Sequence, residues 1–374
     1  TAFMSFCKKN RKYEEWLRKQ CKVIERGLEK KHKRMAKSAF QFLRATFFRW
    51  AGQITDIAAQ LRPEDMPVVL SVGDIHCENY GTWRDEEGRL IWGINDFDEA
   101  ADIPYAFDLV RLATSIRLAE KVKLDDRHVA RKLIDGYRAG LHRPRPTLPD
   151  QHERALRDYV QCDAQCRQEF WEKIETCKSA TPPPEVVDLL RAGLPHDAHV
   201  ERFARHQSGG GSLGRPRYLV VAHWHGGQIV REAKALVPSA WIWAQKDKGR
   251  GMPPRFLDLA TGRYRAPDPF LTVQQSWVVR RLAPDSRKIA LKDIRESEIK
   301  DDLIRAMGRD LGAIHAMTDG KAPEVLAHLD RLGDPAWLFR TAETAAEKVE
   351  KDYKAWRKAI KGKDKDKKKG ADGG

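Results

Sequence analysis

Two neighbouring stretches constrain this chain most: Ser71-Val72-Gly73-Asp74-Ile75-His76-Cys77-Glu78-Asn79-Tyr80-Gly81 and Ile94-Asn95-Asp96-Phe97-Asp98-Glu99. The apolar run 68–72 reads as a buried strand that ends on a loop carrying Asp74 and Asn79. A hairpin then runs out over 80–83, turns at Asp85-Glu86-Glu87-Gly88 and returns over 89–94 to deliver Asp96. Gly88 supplies the turn. Three oxygen-bearing side chains are thereby gathered within 23 residues. Asp74 suits a base, or a group that orients a hydroxyl. Asn79 and Asp96 suit a hard cation held through oxygen. Metal-assisted phosphoryl transfer asks for this division of labour.

The 374 residues allow one large or two ordinary domains with ample chain for a core. The composition, 41% hydrophobic and 33% charged, is that of a soluble globular chain. No apolar run approaches the ~18 residues of a membrane span, so no membrane partner is expected. The first residues lack a secretory apolar segment. The six cysteines, at 7, 21, 77, 162, 166 and 177, form no CxxC pair. Cys162 and Cys166, four apart on an expected helix, read as two partly buried thiols, and a reducing cytoplasm is the expected location. The formal charge of +15 is uneven. Residues 1–50 carry 15 Lys/Arg and 4 Glu, and residues 351–374 carry 10 Lys/Arg and 4 Asp, so the rest sums to −2. Charge confined to a front and a tail reads as solvated helix faces, so nucleic acid is not expected as a partner. A nucleic-acid role would instead show as salt-dependent binding lost on deleting the first 35 residues.

Residues 6–60 read as helices, with Leu17, Cys21, Ile24 and Leu28 on one helical face. The pattern leaves open whether this front packs on the core or makes an oligomer contact. Helices are expected over 105–121, 126–140, 150–178 and 293–317, with more helix from 334 to about 360. Strands are expected over 217–224, 228–236 and 277–282. The Lys-rich end, 361–374, reads as low-complexity and disordered. Gly209-Gly210-Gly211-Ser212-Leu213-Gly214 precedes a strand rather than opening a helix, which argues against a dinucleotide fingerprint.

These features resemble the protein-kinase-like superfamily, most closely its aminoglycoside-phosphotransferase branch. Gly73-Asp74-Ile75-His76-Cys77-Glu78-Asn79 matches the GDxHxxN catalytic loop. Asp96-Phe97, with Asp108-Leu109 twelve residues on, matches the metal motif and its spacing. More closely still, the chain resembles the bacterial domain of unknown function 2252 family, over roughly 35–320. There the Asn-Asp-Phe-Asp-Glu segment, the Asp-x-x-Arg-Leu helix start at Asp108, the glycine loop and the Lys234-x-x-x-Pro-Ser run carry the likeness. The Gly-x-Ile-His-Ala helix at 312–316 continues it.

The resemblance implies an α+β, two-lobed, protein-kinase-like fold. An ordinary kinase places its glycine loop and lysine first; here they come after the catalytic loop, so the fold is expected to be circularly permuted. Residues 1–60 form an N-terminal helical segment, and 61–200 a helical lobe with the catalytic loop and metal motif. Residues 205–290 form a small antiparallel-sheet nucleotide lobe, 293–345 return to the helical lobe, and 346–374 are a basic tail expected to be disordered. ATP is expected between the lobes, cradled by Gly209, Gly211, Ser212 and Gly214 with Lys234 on its phosphates. Asn79 and Asp96 hold Mg²⁺, and Asp98 serves a second metal or braces the loop. Asp74 receives the acceptor's proton, His76 braces the loop, and Asp108 holds the loop backbone. No Glu lies between Lys234 and Glu296, so either the lysine's carboxylate comes from Asp96 or one of Asp247, Asp258 and Asp268, or the small lobe is reorganised. Arg231, three positions earlier on the strand, competes for the lysine's role but faces the opposite side. The expected activity is transfer of the γ-phosphate to a hydroxyl on a small-molecule or protein acceptor. AMP transfer and a non-catalytic nucleotide-binding scaffold are the alternatives. The acceptor and the oligomeric state stay open.

Overall fold

A computed structural model describes residues 5–119, 124–206, 211–245, 254–288 and 301–371. Within them the chain builds a mixed α+β fold with small antiparallel sheets. The front comprises α1 (Phe6–Gln20), α2 (Glu25–Met35), α3 (Ala39–Ala45), α4 (Phe47–Ala51) and α5 (Ile54–Ile57). Phe6, Tyr13, Phe42, Phe48 and Trp50 enter the main hydrophobic core, so this front is packed structure rather than an appendage. The expected single face through Leu17, Cys21, Ile24 and Leu28 is divided between two helices, because extended backbone at Cys21 ends α1. Leu17 and Leu28 still meet, in a buried cluster with Val237.

Strands β1 (Val68–Ser71), β2 (Tyr80–Arg84), β3 (Leu90–Ile94) and β4 (Ala101–Pro104) form two pairs, β1 with β4 and β2 with β3. The chain runs straight from β4 into α6 (Tyr105–Arg117), whose residues 105–116 are all buried, and then into α7 (Asp126–His142). The long helix expected over 150–178 is broken into α8 (Arg157–Val160) and α9 (Ala164–Glu175). Asp163 causes the break, since its side chain caps α9 by accepting from the Cys166 N–H. Cys162 then lies just outside the helix, with its Cα 5.3 Å from that of Cys166, and the two are joined as a disulfide rather than standing as free thiols. The next helix is α10 (Pro184–Ala192).

The largest sheet holds β5 (His199–Arg205), β6 (Arg217–Trp224), β7 (Gly227–Ala235), β8 (Thr272–Gln274) and β9 (Trp277–Leu282), in the order β5-β6-β7-β9-β8. Two short helices, α11 (Ala240–Ala244) and α12 (Phe256–Ala260), lie between β7 and β8. Lys234 sits on the central strand, opposite Arg217 of β6 and Val278 of β9. The chain ends with α13 (Asp301–His315), α14 (Lys321–Leu332) and α15 (Ala336–Ala371). Helix α15 continues into the Lys-rich stretch expected to be disordered. That stretch contains no proline before 371, and extending a nucleated helix needs only one hydrogen bond per residue.

Helices α7 and α13 cross backbone to backbone. A Cβ added at Gly136, Gly140, Gly308 or Gly312 would stand 1.9 to 2.2 Å from a carbonyl oxygen of the facing helix. Gly312→Ala is therefore expected to destabilise the chain by ~1–3 kcal/mol through overpacking. Gly362 of α15 opens onto empty space. Gly362→Ala should instead stabilise by up to ~1 kcal/mol through helix propensity. Urea unfolding of the two variants checks the opposite signs.

Candidate functional site

The 73–79 loop is shaped by its backbone. Gly73 has φ +79°, and a Cβ there would lie 2.4 Å from the Glu99 carbonyl oxygen, so glycine alone fits. Asp108, in the first turn of α6, accepts from the N–H groups of Val72 at 2.7 Å and Gly73 at 3.1 Å. His315 of α13 lies 3.2 Å from the same carboxylate through Nε2, and its Nδ1 lies 2.7 Å from the Tyr137 hydroxyl. The α7–α13 crossing thus reaches the loop through one buried chain of polar contacts. Further along, Asn79 Oδ1 accepts from the His76 N–H at 2.7 Å, and His76 Nδ1 accepts from the Glu78 N–H at 3.1 Å. Burial draws the His76 imidazole well below its ordinary pKa, so it is neutral and braces the loop.

Asp74 pairs through Oδ1 with Arg111 of α6. Arg111 is fully buried, also donates to the Leu43 carbonyl at 3.0 Å, and lies 5.1 Å from each of the Phe47 and Trp50 rings. Burial lifts the Asp74 carboxyl to about 7, against the opposing pull of Arg111. Asp96 meets Lys288 at 2.6 Å and Lys234 at 3.5 Å. Burial works against its charge, yet the two lysines hold its carboxyl well below the usual range. Asp98 takes Lys234 at 2.5 Å. Glu99 accepts from Arg215 at 2.8 Å and from the Ala240 N–H at 2.6 Å, although burial still raises its pKa.

The carboxylate nearest Lys234 is therefore Asp98, which the four expected candidates did not include, with Asp96 second. Asp258 pairs with Arg255 and Asp268 with Arg281, while Asp247 lies outside the described residues. Arg231 points away from this cluster. It donates to the Gly193 carbonyl at 2.7 Å and stacks 4.3 Å over Phe270, as alternation along a strand requires.

Asp74, Asn79, Asp96, Asp98, Gly211 and Ser212 line one cleft of about 590 Å³. Gly211 lies close against the loop: a Cβ there would be 2.9 Å from the Arg44 carbonyl oxygen and 3.2 Å from Asp74 Oδ2. The Ser212 hydroxyl accepts from Arg217 at 3.0 Å. Gly214 is not part of the lining. It packs on Leu28 and Gly27, and its carbonyl accepts from the Ile24 N–H at 2.8 Å, which ties the glycine turn to the front helices. Gly209 lies outside the described residues. A second cavity of about 680 Å³, lined by Lys234 with Phe97, Phe256, Leu271, Val278 and Leu282, opens beside the first. Lys234 lines this second cavity and not the first, but its ammonium meets Asp96 and Asp98 of the first cleft's lining.

Sequence reasoning missed Arg111, Lys288, Arg215, Arg44, Lys31 and Tyr13, which pair with the cleft acids or wall the cleft. Arg111 alone had a signal, its place in the Asp-x-x-Arg-Leu helix start. Among the described residues, no group of three or more His, Cys, Asp or Glu is placed to hold a metal by itself. No helix among them is long and apolar enough to cross a membrane.

Residues 23–181 and 185–359 match the family described as "Uncharacterized protein conserved in bacteria (DUF2252)". The chain belongs to this family. None of the curated proteins and none of the solved structures matches it. The match takes in the loop, the glycine turn, Lys234 and Lys288, and Tyr13 alone among the named cleft residues lies outside it.

Proposed function

We propose that the chain is an ATP- and Mg²⁺-dependent phosphotransferase of protein-kinase-like fold with permuted lobe order, moving the γ-phosphate to a hydroxyl of an acceptor. The observation that carries this reading is the meeting of Lys234, from the central strand β7, with Asp98 and Asp96 beside Asp74. The separations along the chain are 136 and 138 residues, so nothing local brings these groups together. Asp98 supplies the carboxylate that a small-lobe glutamate supplies in the kinases this chain resembles.

The residues present fit the cofactor. Asp96 is held ionised by Lys288 and Lys234, and a cation would take the place of these ammonium groups on its carboxylate. Asn79 Oδ1 uses one lone pair on His76 and retains the other. Mg²⁺ keeps several waters and needs few protein ligands, so Asp96 and Asn79 would suffice together with phosphate oxygens. Bound there, Mg²⁺ supplies charge neutralisation on the phosphates. Lys234 neutralises the phosphates from the sheet side. The second cavity, walled by Phe97, Phe256, Leu271 and Val278 together with Arg265, Arg280, Arg281 and Asp268, takes the base. Gly211 lets the backbone come close beside Asp74. Arg111 holds Asp74 Oδ1 and leaves Oδ2 toward the cleft, where it orients the acceptor hydroxyl and receives its proton.

The test uses ATP labelled at the γ- or the α-phosphate. Label appearing on an acceptor or on the protein itself from the γ-position alone is the expected result. Transfer from the α-position alone establishes AMP transfer instead. Nucleotide binding without any turnover, in a survey of hydroxyl acceptors, leaves a binding scaffold.

A further inference from the structure

The charges lining the cleft are almost all matched. Its four acids, Asp74, Asp96, Asp98 and Glu99, are held by Arg111, Lys288, Lys234 and Arg215 respectively. Among the lining cations, Arg44 pairs with Glu78, Arg215 with Glu99 and Lys288 with Asp96. Lys31 of α2 is the exception. It is 3% exposed, lines the same cleft as Asp74, and meets no carboxylate or other acceptor among the described residues. Its one close partner is the face of the Tyr13 ring, 5.6 Å away. Burial draws its ammonium down to about 8, so it remains largely charged at neutral pH. An apolar side chain would pack at this position without the desolvation cost of a buried charge.

From this imbalance, and resting on the phosphotransferase reading above, we infer that the acceptor is an anion, a hydroxyl compound bearing a carboxylate or phosphate that Lys31 receives beside Asp74. A cationic acceptor finds no free acid in this cleft. An anionic acceptor completes the one unpaired charge, and it is anchored at one end while its hydroxyl faces Asp74 Oδ2. The front helices, which line the cleft through Tyr13, Lys31, Arg44 and Phe48, thereby form its acceptor wall.

Calorimetry on the full chain, with inorganic phosphate as the probe and the site preloaded with Mg²⁺ and a non-hydrolysable ATP analogue, tests the inference. Phosphate is expected to bind the wild type in the millimolar range, about tenfold or more weaker to Lys31→Met, and comparably to Lys31→Arg. The nucleotide analogue itself should bind Lys31→Met as it binds the wild type, and should bind Lys234→Met more weakly. Thermal melting shows whether Lys31→Met is folded, and Lys31→Arg, which keeps the charge, decides the matter if it is not. Unchanged phosphate affinity in Lys31→Met, or no phosphate binding to the wild type, overturns the inference. So does loss of nucleotide affinity in Lys31→Met, which would place the lysine on the ATP side. If the wild type binds no nucleotide at all, the phosphotransferase reading fails, and the phosphate titration without nucleotide still judges Lys31.

Discussion

Lys234→Met is expected to lower phosphoryl transfer by about 10²–10³-fold, the loss typical of removing one preorganised electrostatic group from a closed site. The methionine keeps the length and apolar stem of the lysine, so strand β7 and its pairing with Arg217 and Val278 should persist. Asp96 retains Lys288 and Asp98 retains Arg215 at 3.5 Å, so neither acid is stranded. Lys234→Arg is not expected to restore the rate, because a planar guanidinium does not replace a compact ammonium between two carboxylates. Initial rates of label transfer, beside thermal melts, measure the effect. A variant with the full rate would remove Lys234 from the chemistry and with it the main support for the proposed function.

Asp74→Asn is expected to cost about 10²–10⁴-fold, the usual contribution of a positioned general base. The pH dependence follows from the direction of its shift. Burial favours the neutral acid and lifts the carboxyl to about 7. The working form is the anion. Activity should therefore be lost as pH falls through about 7 and should be level above it. Arg111 pulls in the opposite direction, so Arg111→Gln should move the midpoint upward. That shift separates an electrostatic role of Arg111 from simple loss of packing, which would lower the rate at every pH without moving the midpoint. An acid limb that is unchanged in Asp74→Asn would assign the titration to another group.

The elements that could be read from the sequence are those whose own residues carry the period or the turn. The β6, β7 and β9 strands each carry an apolar or β-branched stretch (218–222, 229–230 and 277–279) with Gly226-Gly227 as punctuation, and they appear close to their expected bounds. Strands β4, β5 and β8 could not be read. The first ends in Pro104, the second carries exposed charges, and the third has three residues on a sheet edge. The helix pattern over 150–178 hid the break at Asp163 because a capping aspartate leaves the surrounding composition unchanged. At the site, the loop acids were legible because motif and spacing place them together. Their partners were not. Lys288 follows a strand with no motif of its own, and Lys31 sits in a Lys/Arg-rich helix where every cation looks solvated. Only folding shows that this one faces inward.

Asp108 and Arg111 lie one turn apart on α6, and between them they hold the backbone and the side chain of the 73–79 loop. The Val72 and Gly73 amides donate to Asp108, so they can exchange with solvent only when the start of that helix lets go. Loop and helix therefore open as one cooperative unit. Slow hydrogen exchange at these two amides would report the local stability of α6 and of the Tyr137–His315 contact behind it, even though both donors lie just past the end of β1.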